Sequence, residues 1–157
     1  MSLIASARQA AETLTGRQFV TARWLWVGDG FPQGAILLTK CPVQAVVALE
    51  YLDMNAVWQT MLENTYTVDT ASEPARITPV FGQIWPIALP QIGAVRVTFD
   101  AGYGAAVAVP EGIKSWIKLR VGSLYSCREE LSASVRTDTS TSSFFNGLLD
   151  PFRVVYL

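Results

Sequence analysis

The residues of this chain that come nearest to chemistry are Gly102-Tyr103-Gly104 and, a short way on, Lys114 and Lys118. Glycines that let backbone N–H groups converge, followed by a lysine, are how a loop cradles phosphate. Here the pattern is incomplete, because the remaining glycine and a Gly-Lys-Ser or Gly-Lys-Thr step are missing. A turn is the better reading, with Gly102, Tyr103 and Gly104 as a structural hinge between a strand and a helix. Lys114 and Lys118 stand one helical turn apart with Arg120 nearby, which a solvated helix face explains. In a protein lining a nucleic-acid channel, the same pair would form a channel or interface face making weak backbone contact.

Other chemistry is excluded by composition. The sequence has no histidine, which removes the commonest general base, the usual partner of a nucleophilic serine and the commonest metal ligand. Cys41 and Cys127 are far apart and have no Cys or His neighbours, so buried free thiols are expected in place of a zinc site or a disulfide framework. Glu129 and Glu130 are adjacent, and a helix would point them about 100° apart. The reading is a protein that is not an enzyme, with no cofactor and no metal. Trp24, Trp26, Trp58, Trp85 and Trp116 could stack on sugars or bases, but with no basic groove beside them core or subunit-interface packing is preferred.

What must position these residues is a chain of 157 residues, long enough for one domain with a sizeable core. Half of it is hydrophobic, only 16% is charged and the net charge is -1. So little charge is unusual for the surface of a soluble monomer, and it predicts that neighbouring subunits cover much of that surface. The sequence pI of about 5.4 argues against a broad basic face for duplex DNA. No apolar run reaches the roughly 18 residues that cross a bilayer, and the start lacks a signal peptide's basic region and cleavage site, so no membrane contact and a cytoplasmic origin are expected.

In chain order, Leu3, Ile4, Ala7, Ala11 and Leu14 form a helical stripe that Gly16 closes. Strand-like segments follow at 19–27 and 35–38, either side of a Gly28-Asp29-Gly30 turn. A third runs over 43–51, where strict alternation would place Val43, Ala45, Val47, Leu49 and Tyr51 on one face. Asp53-Met54-Asn55 reads as a hairpin loop returning through Val57, Gln59 and Met61, and shorter extended pieces lie at 66–69 and 75–78. Pro79, Pro86 and Pro90 exclude a helix and predict an ordered coil fixed by Phe81 and Trp85. Residues 95–99 alternate as a half-buried strand. From Pro110 to residue 130 the pattern is one long helix, burying Ile113, Trp116, Ile117, Val121 and Leu124 on one face.

Composition changes after residue 131, since eight of the twelve residues 132–143 are Ser or Thr. Such a stretch is too polar to bury and reads as a linker. Residues 1–131 then form the main domain, and 132–157 the linker and an apolar terminal segment. That segment holds Phe144, Phe145, Leu148, Leu149, Pro151, Phe152, Arg153, Val154, Val155 and Tyr156. Either it folds back on the same core as a last helix and strand, or it is an arm that inserts into a partner, for instance as an added strand.

The order of motifs resembles the head-to-tail connector, or adaptor, proteins of long-tailed bacteriophages. The matching pieces are Leu14-Thr-Gly-Arg17, Phe31-Pro32, Cys41-Pro-Val43 leading into Tyr51-Leu-Asp53, and Pro74-Ala-Arg-Ile77. They continue through Trp85-Pro86, 95–104, Pro110-Glu111 with Ile113-Lys114, Leu124-Tyr125 with Arg128-Glu129, and Leu148-Leu-Asp-Pro-Phe-Arg153. The resemblance implies an α+β fold: a small helical bundle with a β-rich insertion between the first helix and the long later one, plus an extended C-terminal arm. It implies a ring homo-oligomer, a dodecamer, below the portal protein in the neck of the virion. Assembled in the host cytoplasm, that ring would extend the DNA channel and offer a platform to a stopper or tail-completion protein, touching DNA only weakly. The terminal segment would then be the arm that binds the portal or an adjacent subunit. The alternatives are another virion ring component, such as a tail-completion or tail-terminator protein, and a carbohydrate-binding module that uses exposed tryptophans.

Overall fold

Strand β7 (Val95–Ala101) is the centre of the fold, because its alternate residues Val95, Val97, Phe99 and Ala101 are all buried. In a computed structural model describing residues 3–126 and 147–154, it pairs on one side with β1 (Ala22–Gly28) and on the other with β3 (Val43–Leu52). A short β4 (Trp58–Thr60) returns from β3 as the expected hairpin and completes an antiparallel sheet in the order β1-β7-β3-β4. A second antiparallel sheet has the order β2-β6-β5, from β2 (Ile36–Leu38), β5 (Tyr66–Asp69) and β6 (Ala75–Pro79). Ile36, Leu38, Leu49, Ile77, Val97 and Phe99 join the two sheets in one core.

Helix α1 (Leu3–Thr15) precedes these strands and α2 (Glu111–Ser126) follows them, and the two pack on each other. The fold is therefore α+β, with antiparallel sheets inserted between paired helices, as expected. A second, separate core lies at the helices and holds Ala11, Phe19, Val109, Ile113, Trp116 and Leu149. Glu111 opens α2, where its negative charge suits the positive end of the helix. Gly16, at φ 72°, closes α1 by donating its N–H to the Glu12 carbonyl at 2.9 Å.

Three expectations fail for physical reasons. In β3 the alternation breaks, because register shifts between Val43 and Ala45 and again between Val46 and Ala48 turn the strand over. Ala45 and Val47 are exposed, while Val43 and Leu49 are buried and Val46 and Tyr51 pack against the core. In α1 the inward face is Ala7, Ala11 and Thr15, and Ile4 and Leu14 face outward. Of the two aromatic residues expected to fix the coil 80–94, Trp85 does so and Phe81 does not. The Trp85 ring stacks on Phe31 at 4.8 Å and its Nε1–H donates to the Gly34 carbonyl at 3.0 Å, whereas Phe81 is fully exposed. Among the described residues no helix is long and apolar enough to cross a membrane.

Candidate functional site

Gly102 and Gly104 have φ of 135° and 112°, angles that a side chain strains to reach. The Gly102 N–H donates to the Pro42 carbonyl at 2.8 Å and the Tyr103 N–H to the Phe19 carbonyl at 3.0 Å. The Gly104 carbonyl in turn accepts from Thr21 N–H at 3.0 Å. Amides committed in this way cannot converge on a phosphate, so the turn is a seam where β7 and the chain entering β1 are stitched together.

Arg17 lies on the same seam. Its Nε–H donates to the Phe152 carbonyl at 2.6 Å, and its two terminal nitrogens grip both oxygens of the Glu73 carboxylate. Gln18 N–H donates to the Cys41 carbonyl at 2.8 Å just beyond it. Burial opposes the charge on Arg17 most strongly, but the hydrogen bonds it donates to Glu73 and the attraction of Tyr103, Glu73 and Cys41 together outweigh burial and raise the guanidinium pKa above its ordinary value. Burial raises the pKa of the Tyr103 hydroxyl and of the Cys41 thiol nearby, so both stay neutral at pH 7. One side chain thereby fastens the end of α1 to the β5–β6 turn and to the C-terminal segment. Arg17 escaped the sequence reading as an individual residue; a lone cation directly behind a helix-closing glycine, in so weakly charged a chain, was the signal available.

The structure places the terminal residues unevenly. Leu149 is fully buried, Leu148 and Phe152 are half-buried beside it in the helical core, and Pro151 and Arg153 are exposed. Val154 N–H donates to the Thr15 carbonyl at 2.9 Å. A Cβ at Gly112 of α2 would lie 3.1 Å from the Phe152 ring, so the glycine makes room for that ring. Residues 148–154 thus lie folded back on α1 and α2 of their own chain. Phe144, Phe145, Val155 and Tyr156 lie outside the described residues, as do Cys127, Glu129 and Glu130. Leu149→Ala should cost about 2–5 kcal/mol of folding stability, read as a lowered urea midpoint.

Lys114 and Lys118 do not form one free basic face. Lys114 Nζ donates to the Val107 carbonyl at 2.8 Å and to Glu111 at 2.9 Å, while Lys118 is exposed. The tryptophans are mostly occupied. Trp116 is buried, Trp24 and Trp26 pack against the sheet core, and the ring of Trp58 carries the Arg96 guanidinium 4.0 Å above it. Glu50 holds that guanidinium by two hydrogen bonds. Among the described residues no group of three or more His, Cys, Asp or Glu could hold a metal ion.

The surface feature that stands out is apolar. On the coil 80–94, Phe81, Ile84, Ile87 and Ile92 are almost wholly exposed. Monomeric proteins seldom expose contiguous apolar patches beyond a few hundred Å². The same coil forms one wall of a cleft of about 710 Å³ through Ile84, Trp85, Pro86 and Ile87, with Phe31 and Pro32 opposite.

No protein-family model and no curated protein matches the chain. Solved structures do. A chain in the neck of the native GTA particle, computed with C12 symmetry, superposes with TM-score 0.75 at 21% identity, covering 99% of this chain and 81% of that one. This chain has that fold. A chain of the native gene transfer agent virion matches with TM-score 0.77 at 19% identity, over 99% of this chain and 76% of that one. A chain in the neck of the empty GTA particle, computed with C6 symmetry, matches with TM-score 0.76 at 23% identity, over 99% and 77%.

Proposed function

We propose that this chain is a structural subunit of the neck of a phage-like particle. There it forms the head-to-tail connector, or adaptor, ring below the portal. The observation that carries this reading is the fold likeness, which runs over 99% of the chain and includes necks of C12 and C6 symmetry. The physics of the surface supports it. A ring subunit meets two neighbours through one closing heterologous interface, which calls for apolar surface and tolerates little charge. A conduit through which DNA slides has to avoid gripping phosphates, and a chain of net charge -1 whose Lys114 is engaged within its own subunit suits that task. The role is structural and needs no acid–base residues or cofactor.

The partners are further copies of the chain, the portal, and a stopper or tail-completion protein, with DNA passing through the ring. The residues around 148–154, docked in the free subunit, and the apolar residues flanking them form the arm toward the portal or an adjacent subunit. Deleting everything after Ser143 would remove Leu149 from the helical core. A cleaner test combines Phe144→Ser and Phe145→Ser with truncation after Val154. The expected result is rings of the full-length chain by electron microscopy that bind purified portal rings, and loss of portal binding in the combined variant. Particles lacking the chain from their neck would refute the proposal.

A further inference from the structure

The terminal segment lies on the helices as a peptide ligand lies in a groove. Leu149 is buried in the helical core, the Phe152 ring fills the notch left by Gly112, and the Leu148 carbonyl oxygen stands 3.8 Å from the Cβ position of that glycine. Arg17 Nε–H on the Phe152 carbonyl and Val154 N–H on the Thr15 carbonyl fasten its far end. The segment is thus seated at the first turn of α2, whereas the chain leaves that helix at the opposite end, after Ser126. Returning along the helix takes roughly 20 Å. Residues 127–146 make the connection, and a chain of that length extends to at most about 70 Å. The connection therefore does not confine the segment to its own groove, and the groove of an adjacent copy is within the same reach.

We propose that in the ring the segment 148–154 of each copy leaves its own groove and docks in the α1–α2 groove of the next copy. The proposal rests on the ring reading above. A closing heterologous interface needs two different patches of one chain that fit each other. The segment and the groove are such a pair, and their fit is already displayed within one subunit. Each copy gives one segment and receives one, so exchange around a closed ring leaves no groove empty. Every contact made within the subunit is remade between neighbours, so the balance turns on the connection and not on the contacts. In a dilute subunit the segment finds its own groove at the higher effective concentration. Between adjacent copies that advantage disappears, because the next groove is held within the same span. Exchange also carries Phe144 and Phe145, directly ahead of the segment, across the boundary between copies, where removing them from water is favourable.

The test uses the full-length chain carrying Leu14→Cys, Arg153→Cys and Cys127→Ser. Leu14 and Arg153 are exposed and directly precede Thr15 and Val154, which a 2.9 Å hydrogen bond joins, so a short bismaleimide spans the two new thiols. Cys41 is buried and does not compete. In dilute monomers the reagent should close within one chain and leave a single band on a denaturing gel. In rings that intrachain product should be lost and replaced by a ladder of linked chains running up to the whole ring. Rings that keep the intrachain product would overturn the exchange and leave the ring reading standing. A ladder that stops at two chains would overturn it too, because it reports reciprocal exchange within a dimer. Wild type that forms no rings at any concentration, alone or with purified portal rings, overturns both.

Discussion

Gly102→Ala should destabilise the fold by roughly 3 kcal/mol or more, combining about 1–3 kcal/mol of backbone strain with about 1–3 kcal/mol of overpacking. The added Cβ would stand 2.6 Å from both the N and Cα of Thr21 and 2.8 Å from the Val20 carbonyl carbon, with φ held at +135°. Those are backbone atoms and cannot swing aside as a flexible side chain would. Relief requires opening the Gly102–Pro42 hydrogen bond or moving the chain that enters β1. Urea unfolding measures the loss, and Gly122→Ala supplies the control. Gly122 lies inside α2 with nothing within 4 Å of a built Cβ, so that substitution should add about 0.5–1 kcal/mol. Equal effects at the two glycines would show that the seam at Gly102 is not tight.

Arg17→Met should cost about 2–3 kcal/mol, below the roughly 3–5 kcal/mol typical of breaking a fully buried pair. Arg17 is only 11% exposed, but Glu73 is 34% exposed and regains water once its partner is gone. The loss falls on three elements together, since the same guanidinium holds the Phe152 carbonyl. Amide exchange at Val154 should therefore quicken in the variant more than exchange at the centre of β7. Arg17→Lys should rescue little, because an ammonium cannot serve both carboxylate oxygens and a carbonyl in that fixed geometry. If Val154 were as protected in Arg17→Met as in wild type, the clamp would not be what holds the terminal segment.

Much of the fold was legible where one rule acted alone. Val95, Val97 and Phe99 alternate along a strand that itself carries no bulge and keeps one register with β1, so period two predicted their burial. In β3 the same rule failed because bulges insert residues, and a bulge leaves no mark in hydrophobicity. In α1 the eye goes to Ile4 and Leu14, yet close packing on α2 selects the small Ala7 and Ala11 and leaves the large residues outside. Phe81 misled in the same way, since an aromatic residue in a proline-rich coil reads as an anchor until its neighbours are known. Arg17 was hidden for a different reason. Its partners Glu73 and Phe152 are 56 and 135 positions away, and tertiary hydrogen bonds have no local signature.

The pairing of β1 with β7 also bears on how the chain assembles in time. α1 and α2 are far apart in sequence, so bringing them together in an unfolded chain would carry a large loop-closure entropy. Once Ala22 is registered against Ala101, the end of α1 and the start of α2 are joined by only short lengths of chain on either side of that pair. The sheet thus absorbs the entropic cost of long-range closure, and the helices need only collide across a short span. The inserted strands thereby lower the entropic cost of bringing the two helices into contact.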